Sequence, residues 1–224
     1  VPSSSRSAPA IGGPTTIEQS IAEASLDVVR QLVPDETLGD RIKQKAVHAT
    51  GDPEFQYLMR LRDDPVRSGA RAVLDGSHIV TDITMPRQGI TDRGHECEKW
   101  TALGHGESIA EERGITRTAA GVLELAERGV YDGSIAVVGN APTAAFALAD
   151  SIAEGTEPAV VVATPVGFIK AAESRERVRA VGEAHDVPTI TNVGSRGGSG
   201  LAAALTNELI HVATDSESGA VSIE

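Results

Sequence analysis

Three times in the second half of this chain, a short apolar run leads straight into a loop of glycine or other small residues and then into a helical pattern. Ser134-Ile135-Ala136-Val137-Val138 precedes Gly139-Asn140-Ala141-Pro142-Thr143, and Ala159-Val160-Val161-Val162-Ala163 precedes Thr164-Pro165-Val166-Gly167-Phe168. Pro188-Thr189-Ile190-Thr191-Asn192 precedes Gly194-Ser195-Arg196-Gly197-Gly198-Ser199. Apolar strands alternating with amphipathic helices build a parallel sheet covered on both faces. Ligands of such sheets lie outside the carboxyl ends of the strands, where these three loops gather. The pattern therefore predicts a binding crevice before it predicts a reaction.

The 224 residues suffice for one well-cored domain and would be cramped as two. A single α/β domain is expected over 15–212, with a loose tail over 213–224. Residues 1–14 are rich in Ser, Pro, Ala and Gly and hold no long apolar core, so they read as a disordered arm rather than a signal peptide. No apolar run approaches the roughly 20 residues of a membrane span. The lone Cys97 fits a reducing interior, so a cytoplasmic location is expected. With 32 acidic against 20 basic residues the net charge is −12, which argues against nucleic acid, whose phosphates need clustered Lys and Arg. Lysine occurs only at Lys43, Lys45, Lys99 and Lys170. That scarcity suits an acidic surface adapted to high salt, the alternative being an ordinary acidic enzyme.

Thr16-Ile17-Glu18-Gln19 is a capping-box pattern, followed by an apolar helical face at Ile17, Ile21, Ala24, Val28 and Leu32 that stops at Pro34. A second helix is predicted over 36–47. Asp52-Pro53 and Asp64-Pro65 each restart a helix, the latter turning Val66, Ala70, Val73 and Leu74 inward up to Gly76. His78 to Ile83 reads as the first strand, residues 92–107 show no usable periodicity, and Thr116 to Arg128 reads as a helix. The last helix is expected from about Ser199 to Val212. The predicted fold is a three-layer, doubly wound parallel sheet of four or five strands in a flavodoxin-like order, with extra N-terminal helices.

No Gly-x-Gly-x-x-Gly or Gly-Lys-Ser/Thr loop is present, so neither a dinucleotide nor a nucleoside triphosphate is indicated. His95, Cys97 and His105 are possible metal donors, but they lack the spacing of a dedicated site, and no metal is assigned. His48, in Ala46-Val47-His48-Ala49-Thr50-Gly51, stands where one helix ends; it is either a proton-exchanging imidazole or a capping or core histidine. Arg196-Gly197-Gly198-Ser199 opens a helix and reads either as an anion seat or as a plain glycine turn. Arg117 and Thr118, with Asn140 and Thr143, start two further helices. Together these residues describe a pocket of neutral donors and a few arginines, suited to a large ligand bearing several carboxylates.

Five segments carry a resemblance. Val47-His48-Ala49-Thr50-Gly51-Asp52-Pro53-Glu54-Phe55, Thr116-Arg117-Thr118-Ala119-Ala120 and Gly139-Asn140-Ala141-Pro142-Thr143-Ala144 are three of them. Pro165-Val166-Gly167-Phe168 with Ala171-Ala172-Glu173-Ser174, and then Arg196-Gly197-Gly198-Ser199, complete the set. In this order they resemble the successive motifs of the precorrin-8X methylmutase family, also called cobalt-precorrin-8 methylmutases, over about residues 15–212. The resemblance implies a flavodoxin-like isomerase of corrin-ring biosynthesis that acts as a homodimer and moves a methyl group from C-11 to C-12 of a contracted tetrapyrrole. It places the acid at His48 and substrate contacts at Gln19, Ser20, Arg87, Arg117, Thr118, Asn140, Thr143 and Arg196 to Ser199. The usual Asp-x-x-Met-Val/Ala-Arg-x-Gly-Ile pattern reads Asp82-Ile83-Thr84-Met85-Pro86-Arg87-Gln88-Gly89-Ile90 here, so Pro86 fixes φ beside Arg87.

A methyl shift needs no resident cofactor, and cobalt, where present, arrives within the substrate. Two rivals remain at this stage. One is a non-catalytic tetrapyrrole-binding module using the same loops; the other is a phosphosugar or nucleotide enzyme seated on Arg196 to Ser199. The methylmutase reading further expects the three loops and the imidazole to enclose one cavity of macrocycle size.

Overall fold

The computed structural model describes residues 16–223, and the side chains of residues 16–20, 22 and 23 lie outside that description. The arm expected over 1–14 and the roles expected for the Gln19 and Ser20 side chains therefore fall outside the described residues.

Strand β4 (Ile135–Val138) and strand β5 (Val160–Ala163) are buried along their whole length, as strands covered on both faces must be. Their side chains alternate between two cores. Ile135, Val137, Val160 and Val162 join the layer of α2 (Leu38–Thr50), α4 (Pro65–Leu74) and α10 (Ser199–Glu217). Ala136, Val138, Val161 and Ala163 join the layer of α7 (Arg117–Glu127), α8 (Pro142–Ala153) and α9 (Ala171–Ala184).

With β1 (Met59–Arg62), β2 (Ile79–Thr81), β3 (Lys99–Thr101) and β6 (Thr189–Asn192), the sheet runs in the order β1-β6-β5-β4-β2-β3. β2 to β6 are mutually parallel, and taken alone they follow the expected flavodoxin-like order. The sheet departs from expectation at both edges. β1 pairs antiparallel with β6, a sixth strand that the sequence reading missed. β3 lies in the segment without periodicity. Both are too short, at four and three residues, and too rich in charge to register as strands.

Local chemistry accounts for several helix ends. The Thr37 hydroxyl accepts from the Asp40 N–H while Asp40 returns a bond to the Thr37 N–H, a capping box that starts α2 two residues later than predicted. Gly51, at φ 66°, ends it. Pro65 opens α4 as expected. Leu74, predicted inward, is instead largely exposed.

Two further expectations are corrected. The apolar face assigned to α1 (Thr16–Leu32) points the wrong way: Ile21, Val28 and Leu32 are exposed, and Val29 with the following Val33 is buried. The segment read as a loose tail is docked. α10 continues to Glu217, Ile223 is buried, and its carbonyl accepts a 2.8 Å bond from Arg71 Nη2. Among the described residues no helix is long and apolar enough to cross a membrane.

Candidate active site

The order of the sheet reverses between β2 and β4, and one buried carboxylate ties the strands together there. Asp82, directly after β2, accepts from the N–H groups of Ile83 (3.0 Å), Gly139 (3.2 Å), Asn140 (2.8 Å) and Ala141 (2.8 Å). Burial lifts its pKa above the usual carboxylate range, against the pull of those donors. The start of α8, where an incoming anion would find open N–H groups, is thus filled by the protein's own acid.

The loops after β4, β5 and β6 pack against one another without slack. A Cβ on Gly139 would lie 2.8 Å from Ser199 Cα and 3.0 Å from Pro86 Cγ, so the departure at Pro86 is a packing contact with the β4 loop. The Gly198 N–H donates to the Thr164 carbonyl at 2.6 Å, and the Thr164 hydroxyl donates to the Gly198 carbonyl at 3.2 Å. At Gly197, φ is +153° and a Cβ would lie 2.3 Å from the Thr164 oxygen, whereas Gly200 has open space around it. Gly197→Ala is therefore expected to destabilise by about 2 kcal/mol or more, and Gly200→Ala to be neutral or to stabilise by up to about 1 kcal/mol. Denaturant melts of the two variants check this.

Beneath the last loop lies Arg175, fully buried on α9. It donates from Nε to the Ala171 carbonyl (3.1 Å), from Nη1 to Asn192 Oδ1 and the Arg196 carbonyl (2.7 Å each), and from Nη2 to the Gly194 carbonyl. Asn192 Nδ2 adds a second 2.7 Å bond to the Arg196 carbonyl. All of these acceptors are neutral, and burial pushes the guanidinium down to about 10, so it stays charged at neutral pH.

His48 sits half-buried at the end of α2, its Nδ1 3.1 Å from the Ser25 hydroxyl of α1. When that hydroxyl donates, the neutral ring carries its proton on Nε2, to which no described residue bonds. The turn after His48 is fastened to the β6 loop. Arg196 binds the Asp52 carboxylate and, at 2.7 Å, Glu54 Oε2, and its guanidinium lies 5.5 Å from the centre of the Phe55 ring. The Glu54 and Asp52 carboxylates hold Arg196 above its ordinary range. Arg196 is thus already engaged by two acids of this chain, which the sequence reading did not foresee.

The remaining candidates divide. Arg117 and Asn140 are exposed at the helix starts beside β4 and make no side-chain bond to any described residue. The half-buried Thr118 and the exposed Thr143 both lie against the Thr116 hydroxyl, at 3.3 and 2.8 Å. Gly198 gives α10 no side-chain cap, which leaves its first N–H groups open, while Ser199 is buried. Arg87 is not brought to these groups, because its Nε donates to the carbonyl of Lys99 at the amino end of β3. His95 and Cys97 turn to other work: His95 Nε2 lies 2.8 Å from the Thr91 carbonyl, and Cys97 Sγ donates to the Val73 carbonyl.

The single enclosed cavity expected from sequence is not what the described residues form. A cleft of about 540 Å³ opens between α7 and α8, with Thr116 and Thr143 at its mouth and Leu123 and Phe146 inside. His48, Asn140 and Arg196 do not line it, and Arg196 is tied instead through Asp52 and Glu54 to the turn after His48.

Comparison with known proteins decides between the readings. Residues 20–212 match the family model for precorrin-8X methylmutase. The chain belongs to that family. It is 34% identical over 204 residues to a cobalt-precorrin-8 methylmutase of Methanocaldococcus jannaschii, covering 85% of this chain and 92% of that one. It is 37% identical over 205 residues to the cobalamin biosynthesis protein CbiHC of Archaeoglobus fulgidus, covering 92% of this chain but only 42% of that longer protein. A crystal structure of precorrin-8X methylmutase from Thermus thermophilus superposes with a TM-score of 0.79 at 32% identity, over 91% of this chain and 98% of that one.

For a precorrin-8X methylmutase, the residues that sequence reasoning missed are those that support others: Ser25, Asp82, Arg175, and the pair Asp52 and Glu54. Asp82 carried a faint signal, as an acid directly after a strand facing Gly-Asn-Ala. Arg175 carried none, because an arginine early in a charged helix reads as solvated.

Proposed function

We propose that this chain moves a methyl group from C-11 to C-12 of precorrin-8X, or of the cobalt-containing counterpart, giving the hydrogenobyrinate or cobyrinate skeleton. The bond from the methyl carbon to C-11 breaks as the bond to C-12 forms, so substrate and product hold the same atoms. His48 lends a proton or a hydrogen bond to the macrocycle, draws electron density from it, and takes the proton back when the shift is complete. Where cobalt fills the ring, the ring nitrogens cannot accept that proton, and His48 acts on the periphery or by hydrogen bonding alone. Arg117, Asn140 and the open start of α10 hold the rim carboxylates and keep the ring in a reactive shape.

One observation carries this reading. The bonds from Arg196 to Asp52 and Glu54 draw the imidazole-bearing helix and the glycine loop to the same end of the sheet. The phosphate-enzyme reading is disfavoured by the same bonds, since Arg196 already has two anions, and by Asp82 in the β4 turn. No resident cofactor is part of the proposal, and the cytoplasm is its proposed setting. A homodimer is also proposed. The exposed stripe of Ile21, Val28 and Leu32 runs along the helix that bonds His48, and a second copy would cover it. Anaerobic incubation with the methylated ring substrate is expected to change the visible absorption as conjugation alters, on a protein whose light-scattering mass is that of two chains. Unchanged spectra under those conditions would refute the assignment.

A further inference from the structure

The family resemblance places a substrate contact at Arg196, in the glycine loop before α10. Its surroundings argue against that role. Nη1 donates to an Asp52 carboxylate oxygen and Nη2 to Glu54 Oε2 at 2.7 Å, while the guanidinium lies 5.5 Å from the centre of the Phe55 ring. One positive charge thus faces two negative ones, so a carboxylate arriving here meets a site that is already net negative.

Both acids belong to one built turn. Thr50 Oγ1 donates to the Ala46 carbonyl at 2.7 Å and the Gly51 N–H to the Val47 carbonyl at 2.9 Å, closing α2 around His48. The Asp52 N–H then donates to Thr50 Oγ1 at 3.3 Å, and Asp52 Oδ1 accepts the Glu54 N–H at 2.9 Å. Phe55 is buried in the same core as Ala46 and Val47. Asp52, Glu54 and Phe55 therefore stand in fixed relation to the last turn of α2. On the other side, Arg175 Nη1 and Asn192 Nδ2 hold the Arg196 carbonyl at 2.7 Å each, so the loop keeps its shape independently of the guanidinium. Stability is a poor reason for such a clamp. The Glu54 side chain is 70% exposed and that of Arg196 45%, and exposed ion pairs add little.

We propose that Arg196 is a positioning residue: clamped between Asp52 and Glu54, it fixes the helix end that bears His48 against the loop that starts α10. It sets the place of the acid relative to the ring and does not bind the ring. The proposal rests on the functional reading above, in which the start of α10 holds a rim carboxylate and His48 is the acid. A misplacement of about 1 Å can cost about 10²-fold in rate, so a clamp too weak to matter for folding matters for turnover.

The test uses the full chain, with single-turnover absorption traces on the methylated ring substrate, titrations with hydrogenobyrinate, and thermal melts. Arg196→Gln and Glu54→Gln are each expected to lower turnover about 3- to 30-fold while product affinity stays within about threefold of wild type. The double variant is expected to be little worse than Arg196→Gln alone, because both remove one interaction. Exchanging the charges, Glu54→Arg with Arg196→Glu, is expected to recover part of the turnover. Glu54→Gln, at an exposed side chain, reads the clamp even where Arg196→Gln does not fold. A loss of product affinity of about tenfold or more in Arg196→Gln, not relieved by the exchange, makes the guanidinium a substrate seat and overturns the proposal. Wild-type turnover in Glu54→Gln, whatever its melting temperature, leaves the clamp a structural contact and overturns it too. If the wild-type chain neither binds nor converts the corrinoid, the functional reading fails and this proposal falls with it.

Discussion

Replacing His48 by alanine is expected to lower turnover about 10²- to 10⁴-fold while leaving affinity for the corrinoid product largely intact. On the proposed reading the imidazole lends the proton: its Nδ1 lies 3.1 Å from the Ser25 hydroxyl, and no described residue bonds its Nε2. A group that acts mainly in the transition state affects kcat more than ground-state binding. Ser25→Ala removes only the hydroxyl at Nδ1, so its cost is that of one hydrogen bond, about two- to tenfold in rate. Single-turnover absorption traces of the two variants, with product titrations alongside, separate the effects. Near-normal turnover in His48→Ala would remove the residue from the mechanism.

Arg175→Ala is expected to cost about 3 kcal/mol or more of stability, because it empties the space of a fully buried side chain and takes the donor from the buried Asn192 Oδ1 and from the Gly194 carbonyl. For a domain of this size that lowers the melting temperature by roughly 6–12 °C. The loss is also functional. Three of the acceptors, Asn192 Oδ1 and the carbonyls of Gly194 and Arg196, shape the loop that carries Arg196 toward Asp52 and Glu54. Arg175→Lys keeps the charge but has no planar fork to serve acceptors on both sides, so it should recover only part of the stability and of the corrinoid affinity. Calorimetry and product titration check both. An unaltered melt in Arg175→Ala would mean that water replaces the guanidinium without cost.

Asp82 is a different kind of support. A carboxylate that fills the nest at the start of α8 removes the commonest anion site of this sheet topology. The sheet order that seats phosphates elsewhere here has its central turn occupied by the chain's own carboxylate.

By itself the amino-acid order determined the interior of this protein. Val160 to Ala163 and Ile135 to Val138 are apolar without interruption, which only a strand buried on both faces tolerates, and the glycine loops behind them could lie only at the carboxyl ends. The candidate acid came from resemblance and not from local pattern, which left His48 open between a proton-exchanging imidazole and a capping or core histidine. What the order of residues left open, tertiary contact decided. α1 carries two apolar stripes, and packing against α2 chose Val29 and Val33 over Val28 and Leu32. The edge strands β1 and β3 exist because a neighbour offers hydrogen bonds to segments too short and too charged to be strands alone. Arg196 reads as a free cation until residues 142 and 144 positions away close on it, and Arg175 reads as solvated until four neutral acceptors surround it. Local pattern reports how a residue prefers to meet water, whereas pairing between distant charges and carbonyls depends on which segments the finished fold brings together.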